Sequence, residues 1–286
     1  MSEALLTPDD AAFRTCYLPK KTVILSIDVE TDFGSGRTEA LSQLERLLEL
    51  VETLGIPLTA FVEGQFFENK TDIIRLLSDY KVNLQLHCYD HSTKGDTPDL
   101  LRRGVAAYAN FLGQLPNGYR AHTYGLGPAL YHALAEEGVK WDSSILPAFA
   151  QGGNFDSRYR NGDYLIFENN LIEFPVATWN RFPFPLNHSY RQLMGRPTEA
   201  VLRRIFGPQN LVFYNMHMVD LVYSNSLATS NLPLIVKLLY KYMWGTNRTD
   251  TFSSLKNIVE YLQSLGYAFQ YADEVYRELA DQPAEG

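Results

Sequence analysis

The chain has 286 residues, of which 45% are hydrophobic and 13% aromatic, so it can bury a sizeable core. Its 25 Lys and Arg residues face 33 Asp and Glu residues, and the net charge of −8 gives no general electrostatic reason to bind nucleic acid. No stretch reaches the roughly 18 apolar residues that a membrane-spanning helix needs.

The ends of the sequence and its cysteines bear on the predicted compartment. The first twenty residues lack a basic segment followed by an apolar run, so no secretory signal is predicted. Two cysteines, Cys16 and Cys88, cannot form a disulfide framework, which is typical of a reducing compartment. We therefore predict a cytoplasmic protein with residues 1–20 as an N-terminal extension, 21–280 as one catalytic domain and 281–286 as a tail.

From residue 21 onward, short β-rich runs alternate with segments of helical period, as in βα units around a parallel sheet. Strands are predicted at 22–28, 56–64, 82–87, 118–122, 139–146, within 164–176, at 211–217 and at 267–271. Helices are predicted at 38–55, 71–80, 99–115, 128–138, 198–207, 232–244, 253–266 and 272–280, and 177–190 reads as an aromatic-rich loop. About seven parallel strands favour an α/β fold with a closed or nearly closed barrel over a doubly wound open sheet.

Polar residues follow five of the predicted strands. The strand ends read "SIDVETD", "LQLHCYDH", "GYRAH", "WDSS" and "YNMH". In barrels of parallel strands the chemistry lies where the carboxyl ends of the strands open into loops, so these groups are expected at one rim.

The residues at this rim suggest a metal site. Asp28 and Glu30 are two apart in a strand and should share a face. His87 and His91 in "HCYDH" should also face one side if the segment turns. Two histidines and one carboxylate form a known catalytic zinc set. The alternatives are a polar turn for "HCYDH" and a helix-capping role for the acidic run, with Asp32 as the cap.

These motifs, in this order, resemble the polysaccharide deacetylases with NodB homology, also called carbohydrate esterase family four. "SIDVE" is similar to the family's Thr-Phe-Asp-Asp motif, with Asp28 in the place of the catalytic base and Val29 in the place of a metal-binding aspartate. A subgroup that reads Asp-Val-Asp or Asp-Val-Glu uses the second acidic residue as the ligand, which here is Glu30. "HCYDH" is similar to the second motif, so the resemblance implies His87 and His91 as the other ligands.

The remaining motifs are also similar. "YRAH" resembles Arg-x-Pro, with Arg120 matched and His122 in place of the proline. "WDSS" places Asp142, and "NMH" places His217, at the positions of the last two motifs. The resemblance implies a distorted (β/α)7-type barrel in which Arg120 holds Asp28 ionised, Asp142 orients His217, and His217 is the general acid.

The implied reaction is removal of an acetyl or formyl group from an N-acylated amino sugar, with a nucleotide- or lipid-linked sugar as the narrower expectation. Zinc is the expected ion, with manganese, cobalt and iron as alternatives, and Tyr89, Tyr124 and Trp179 are expected to contact substrate. The segment 232–244 is expected to be an outer helix of the barrel or a peripheral membrane contact. Two other functions stay open: a metal-independent, allantoinase-like amidohydrolase, and a non-catalytic carbohydrate-binding barrel.

Overall fold

A computed structural model describes residues 13–32, 38–91, 95–146, 163–178, 187–189, 191, 210–222 and 250–280. The strands are β1 (Phe13–Cys16), β2 (Thr22–Val29), β3 (Thr59–Glu63), β4 (Asn83–His87), β5 (Gly118–Arg120), β6 (Trp141–Asp142), β7 (Tyr164–Phe167), β8 (Ile172–Glu173), β9 (Leu211–His217) and β10 (Ala268–Phe269). The helices are α1 (Leu44–Leu54), α2 (Phe66–Asn69), α3 (Thr71–Asp79), α4 (Pro98–Leu112), α5 (Pro128–Glu136), α6 (Thr251–Ser264) and α7 (Ala272–Ala280).

The strands form one curled sheet. Seven of them, in the order β9-β2-β3-β4-β5-β6-β8, are parallel neighbours, and the short β10 also pairs with β2 in parallel. Beyond β8, the Ala177 N–H donates to the Phe213 carbonyl at 3.1 Å, which brings the chain back alongside β9. The α/β class and the barrel of parallel strands are thus confirmed.

Strand β2 shows how the sequence produces this arrangement. All eight of its residues are buried, as expected for a parallel strand that is covered on both faces. Val23, Leu25, Ile27 and Val29 pack into the large core under the helices, whereas Ile24, on the other face, packs inside the barrel. The two-residue period of the strand therefore also turns Ser26 and Asp28 towards the barrel interior.

Aromatic rings fill the interior below the polar residues. Phe61, Trp141, Phe174 and Phe213 contact one another with ring centroids 5.6–6.2 Å apart. Helix α7 contributes Ala272, Val275 and Leu279 to the same cluster, and its Asp273 accepts a hydrogen bond from Trp141 Nε1 at 2.9 Å. The lower end of the barrel is therefore closed, and the upper end is left for polar residues.

The predicted N-terminal extension contains a strand. Phe13–Cys16 pairs antiparallel with β7, and Leu18 is buried in the interior cluster. Three residues of this strand are half-buried and Arg14 is exposed, which suits a strand at the edge of a sheet. Residues 13–18 therefore belong to the folded unit, whereas residues 1–12 and the predicted tail 281–286 lie outside the described residues.

Several predicted elements fall in the same undescribed part of the chain. The predicted helices 198–207 and 232–244 lie there, as does most of the loop 177–190. Among the described helices, none is both long and apolar enough to cross a bilayer. The peripheral membrane contact of residues 232–244 stays a prediction.

Gly118, at the start of β5, has no room for a side chain. A Cβ built on this glycine would lie 2.1 Å from Cζ2 of Trp141, and Trp141 is fully buried. Because that ring is locked between other aromatic rings, we expect Gly118→Ala to lower the free energy of unfolding by about 3 kcal/mol. Urea denaturation tests this, with Gly113→Ala as a contrast because a Cβ there contacts nothing and meets only a positive φ of 73°.

A loss for Gly118→Ala no larger than that for Gly113→Ala would mean that the barrel interior can relax around an added methyl group. It would contradict the close packing that we ascribe to the Trp141 ring.

Candidate active site

Strand register brings the predicted residues together at the upper rim. His217 lies directly beside Asp28 in the β9–β2 pair, and His87 lies between Glu63 and Arg120 in the β3–β4–β5 ladder. Parallel strands carry such end residues to the same edge of a sheet. The structure thus places the predicted base, acid, arginine and histidines within one site.

Asp28 and Arg120 form a buried ion pair at the floor of this site. Arg120 Nη1 donates to Asp28 Oδ1 at 2.7 Å, and both side chains are almost inaccessible to solvent. The guanidinium also lies 3.8 Å from the centroid of the Phe61 ring and donates to Ser143. Burial by itself raises the pKa of Asp28, but Arg120 and the nearby histidines outweigh it and lower that pKa below its ordinary value. Asp28 is therefore held as a carboxylate.

Asn215 completes the hydrogen bonds of this pair. Its Nδ2 donates to Asp28 Oδ2 at 3.0 Å and to the Tyr124 hydroxyl, while its Oδ1 accepts from Arg120 Nη1 at 2.7 Å. Each group of the amide thus has a partner of the right polarity, which fixes the orientation of Asp28. The Tyr124 hydroxyl also lies 3.4 Å from His217 Nε2, so Tyr124 is at the site, and its contact with substrate stays a prediction.

His217 lies between two carboxylates. Its Nε2 is 3.4 Å from Asp28 Oδ2, and its Nδ1 is 3.7 Å from Asp220 Oδ2. Burial lowers the pKa of His217, but the neighbouring carboxylates of Asp220 and Asp28 outweigh it and raise that pKa to about 9. An imidazolium with a neighbouring carboxylate can act as a general acid near neutral pH.

The predicted contact between Asp142 and His217 is wrong. The Asp142 carboxylate accepts from the hydroxyl and the N–H of Ser144, at 2.7 and 3.1 Å. It lies beside Glu173, the pKa of which is raised well above its ordinary value by burial and by the charge of Asp142. The residue that orients His217 is Asp220, because a 3-10 turn directly after β9 folds Asp220 back and its Oδ2 accepts from the His217 N–H at 2.9 Å.

Other buried residues fix Asp220 in turn. Ser189 Oγ donates to Asp220 Oδ1 at 2.6 Å, and Thr251 Oγ1 donates to the Asp220 carbonyl at 2.8 Å. His188 bridges Thr251 Oγ1 and the Tyr214 hydroxyl, each at 3.0 Å. Contacts from residues far apart in the sequence thus support the acid, which sequence patterns do not reveal.

Beside the acid–base pair lies a cluster of imidazole and carboxylate groups. One ligand atom each of Glu30, His87, His91 and His122 lies within 4.8 Å of the others. His87 Nε2 and His91 Nε2 are each 3.3 Å from Glu30 Oε2. His87 Nδ1 lies 2.8 Å from the Arg120 carbonyl, which leaves Nε2 directed at the cluster. Cys88, between the two motif histidines, has a left-handed φ of 38° that turns the chain sharply after β4.

The donor set fits a divalent transition metal. Imidazole nitrogens and a carboxylate oxygen are the ligands that zinc, cobalt, iron and nickel take in proteins. His91 Nε2 is buried without a hydrogen-bond partner among the described residues, although it points between two carboxylates. Burial and neighbouring imidazoles lower the pKa of His91 to about 2 and that of His122 to about 4, so these two rings are neutral. The pKa of His87 is instead raised to about 9, because its hydrogen bond to Glu30 and the nearby carboxylates outweigh burial, so a metal would have to displace the proton of His87.

Of the other carboxylates near the predicted ligands, Asp32 is a helix cap. Its oxygens accept from the N–H groups of Glu39 and Ala40 at 2.9 and 3.1 Å, which is the role the sequence predicts for it. Glu63 Oε1 lies 3.4 Å from His91 Nε2 and accepts from Thr31, so it orients this part of the cluster. Glu30 is thus the acidic residue of the first motif that meets both motif histidines.

The two other residues that the sequence predicts to contact substrate are Tyr89 and Trp179. The Tyr89 ring is buried, its hydroxyl donates to Glu68 at 2.7 Å, and Arg103 stacks on it at 3.8 Å. The Tyr89 side chain thus turns towards α2 and α4 rather than towards the rim, whereas a substrate contact through the backbone N–H near Tyr89 stays a prediction. Trp179 lies outside the described residues.

Four residues of the site are absent from the sequence prediction: Glu63, His122, Asn215 and Asp220. Asn215 is two residues before His217 in β9 and therefore shares its face, so alternation could have identified it. Glu63 ends a predicted strand, as the other rim residues do. Asp220 and His122 lie in turns after their strands. The two-residue period of a strand does not predict where the side chains of such turns point.

A pH profile distinguishes the roles of Asp220 and Asp142. The imidazolium of His217 is present below its pKa of about 9 and is lost as pH rises through that value. Asp220→Asn removes the charge that raises this pKa, so we expect the alkaline limb of kcat to move down by about 1–3 pH units. Asp142→Asn should leave the limb where it is. An NMR titration of His217 in both variants supplies a measurement that does not depend on turnover.

Equal movement of the limb in both variants would show that Asp142 acts on His217 after all, through the fold rather than by contact.

Comparison with known proteins gives one curated relative. The chain is 24% identical over 174 residues to a peptidoglycan deacetylase of Helicobacter pylori, a match that spans 53% of this chain and 58% of that protein. The chain therefore covers little more than half of the length of this relative. No protein-family model matches the sequence.

Solved structures match almost the whole chain. An allantoinase, Puue allantoinase, is 13% identical with a TM-score of 0.59, covering 97% of this chain and 96% of its own. A probable polysaccharide deacetylase of Pseudomonas aeruginosa PAO1 is 14% identical with a TM-score of 0.53, covering 95% and 92%. A family-four pseudoenzyme of Bacillus anthracis is 13% identical with a TM-score of 0.52, covering 90% and 66%.

At these identities the solved structures establish the fold alone, and the fold is the one that the sequence motifs imply. The chain therefore has the fold of the polysaccharide deacetylases of carbohydrate esterase family four.

Proposed function

We propose that the chain is a metal-dependent hydrolase that removes an N-acyl group from an amino sugar. The observation that carries this proposal is a buried carboxylate held ionised by Arg120, 3.4 Å from an imidazole with a raised pKa, beside a cluster of metal-binding type. An ionised base and a protonated acid are both needed to hydrolyse an amide near neutral pH. A carbohydrate-binding barrel without turnover needs neither.

Glu30, His87 and His91 would hold the metal, which supplies Lewis acidity to polarise the acyl carbonyl and the attacking water. Asp28 takes the proton of that water through Oδ2, which accepts from the neutral amide of Asn215, whereas Oδ1 is paired with the charged guanidinium of Arg120. His217 gives its proton from Nε2 to the amide nitrogen as the carbon–nitrogen bond breaks. The products are a carboxylic acid and a free amine, and Asp220 stabilises the charged form of His217 until the proton is transferred.

An amino sugar is the favoured substrate class because the curated relative is named a peptidoglycan deacetylase. A lipid- or nucleotide-linked sugar, with acetyl or formyl as the acyl group, is the narrower expectation from the sequence motifs. We propose that this reaction takes place in the cytoplasm. We also propose that residues 232–244 contact the inner face of the membrane. Both cysteines of the chain are free thiols, in agreement with a reducing compartment.

Metal analysis tests this function. We expect about one tightly bound transition metal per chain in the purified protein and its loss in the His87→Ala, His91→Ala double variant. The assay of choice is release of acetate or formate from N-acetyl and N-formyl amino sugars, with and without added zinc, manganese, cobalt or iron. Activity should require metal, and the preferred ion identifies the cofactor.

Turnover of a small amide without any metal would overturn metal dependence and favour an allantoinase-like hydrolase. Sugar binding without turnover in the metal-loaded protein would favour the non-catalytic barrel.

A further inference from the structure

We propose that His122 is a fourth protein ligand of the metal, so that three imidazoles and one carboxylate bind the ion. This inference rests on the metal dependence proposed above and goes beyond the ligands that the motifs supply. The sequence motif that contains Arg120 has a proline at this position in the family that the chain resembles, and proline has no ligand atom in its side chain. The substitution therefore adds a donor to the site.

Distances support the inclusion of His122. A ring nitrogen of His122 lies within the 4.8 Å that encloses the ligand atoms of Glu30, His87 and His91. The His122 ring centroid is 3.9 Å from that of His91 and 6.5 Å from that of His87. All four residues thus contribute a ligand atom to one cluster, in which His122 lies nearer to His91 than to His87.

Hydrogen bonds to neighbouring segments fix the backbone around His122. The His122 N–H donates to Asp96 Oδ2 at 2.9 Å, and the N–H of Ala121 donates to Ser144 Oγ at 2.7 Å. Arg120, two residues earlier, is held by its ion pair with Asp28. Within the described part of the chain, no hydrogen bond occupies a ring nitrogen of His122, so its lone pair is free for a cation.

A metal bound by three histidines and one carboxylate differs in its chemistry from a metal bound by two histidines and one carboxylate. Four protein ligands fill a tetrahedral zinc shell, which is the arrangement of structural rather than catalytic zinc. An ion that also activates water at this site needs five or six ligands. We therefore expect cobalt, iron or manganese to support turnover better than zinc does.

Cobalt binding provides the test. Co²⁺ affinity is measured by competition with a chromophoric chelator, and the visible absorption of the bound ion is recorded, for the complete chain and for His122→Ala and His122→Gln. We expect each substitution to weaken Co²⁺ binding at least about tenfold and to change the absorption spectrum, because a nitrogen ligand is replaced. His132→Ala, an exposed histidine on α5, is the matched control and should change neither property.

The possible outcomes separate this inference from the proposed function. Failure of the unsubstituted chain to bind Co²⁺ would overturn the metal-dependent function and the inference together. Tight binding with the same affinity and spectrum in both His122 variants would overturn the inference alone. Circular dichroism and thermal melting of each variant show whether it is folded, and the Gln variant keeps the test informative if the Ala variant is unstable.

Discussion

Asp28→Asn is expected to lower kcat by about 10²–10⁴-fold, the usual contribution of a positioned proton-transfer group. Asparagine keeps an oxygen for the hydrogen bond from Arg120 but cannot accept a proton from water. Because Glu30, His87 and His91 are unchanged, metal content should stay near one ion per chain. The measurements are steady-state kinetics on an N-acyl amino sugar and elemental analysis of the same sample.

Asp99→Asn is the matched control for this variant. The Asp99 side chain is 96% exposed and contacts Arg102 at the surface, so kcat should stay within the error of the unsubstituted protein. Asp28→Asn with full activity would exclude Asp28 as the base. Loss of activity together with loss of metal would instead assign Asp28 to the metal site.

Arg120→Leu is expected to lower the free energy of unfolding by about 3–5 kcal/mol, since it breaks a buried ion pair and leaves a carboxylate without its counter-charge. The change also removes the donors to Ser26, Ser143 and Asn215, which are all fully buried. Arg120→Lys should recover only part of this stability, because an ammonium group cannot reproduce the planar donor geometry. Urea denaturation at neutral pH measures both variants.

Arg102→Leu provides the comparison at the surface. Arg102 is about half exposed and pairs with Asp99, Glu136 and Glu137, and such pairs contribute about 1 kcal/mol or less. Equal losses for Arg120→Leu and Arg102→Leu would contradict the argument that burial makes the Arg120 pair costly to break.

Much of the fold follows from local patterns in the sequence. The alternation of apolar runs with helical periods predicts the strand that ends at Asp28 and the helix that ends before Gly55, where a left-handed φ of 63° terminates α1. The boundaries are less accurate. Residues 39–43 form a 3-10 helix rather than the first turn of α1, and Asp32 rather than the residue directly before this helix satisfies its first N–H groups. The edge strand at 13–16 was assigned to an extension, since four residues pair only with a distant strand.

The candidate site likewise has a part that the sequence predicts and a part that it does not. The sequence by itself determines that Asp28 and His217 end parallel strands, that His87 and His91 are one turn apart, and that Arg120 ends a third strand. These facts place the groups at one rim, because strand direction and the two-residue period are local properties of the chain. The register in which β2 pairs with β9 then sets Asp28 directly beside His217.

Only the tertiary structure decides which residues outside the strands complete the site. Asp142 and Asp220 are both acidic residues near strand ends, yet Asp142 faces Ser144 and Glu173, whereas the turn after β9 brings Asp220 to His217. His122 likewise joins His87 and His91 because the turn after β5 folds over the end of β4. The path of a turn depends on what it packs against, and those contacts come from segments far away in the sequence, so local patterns cannot specify them.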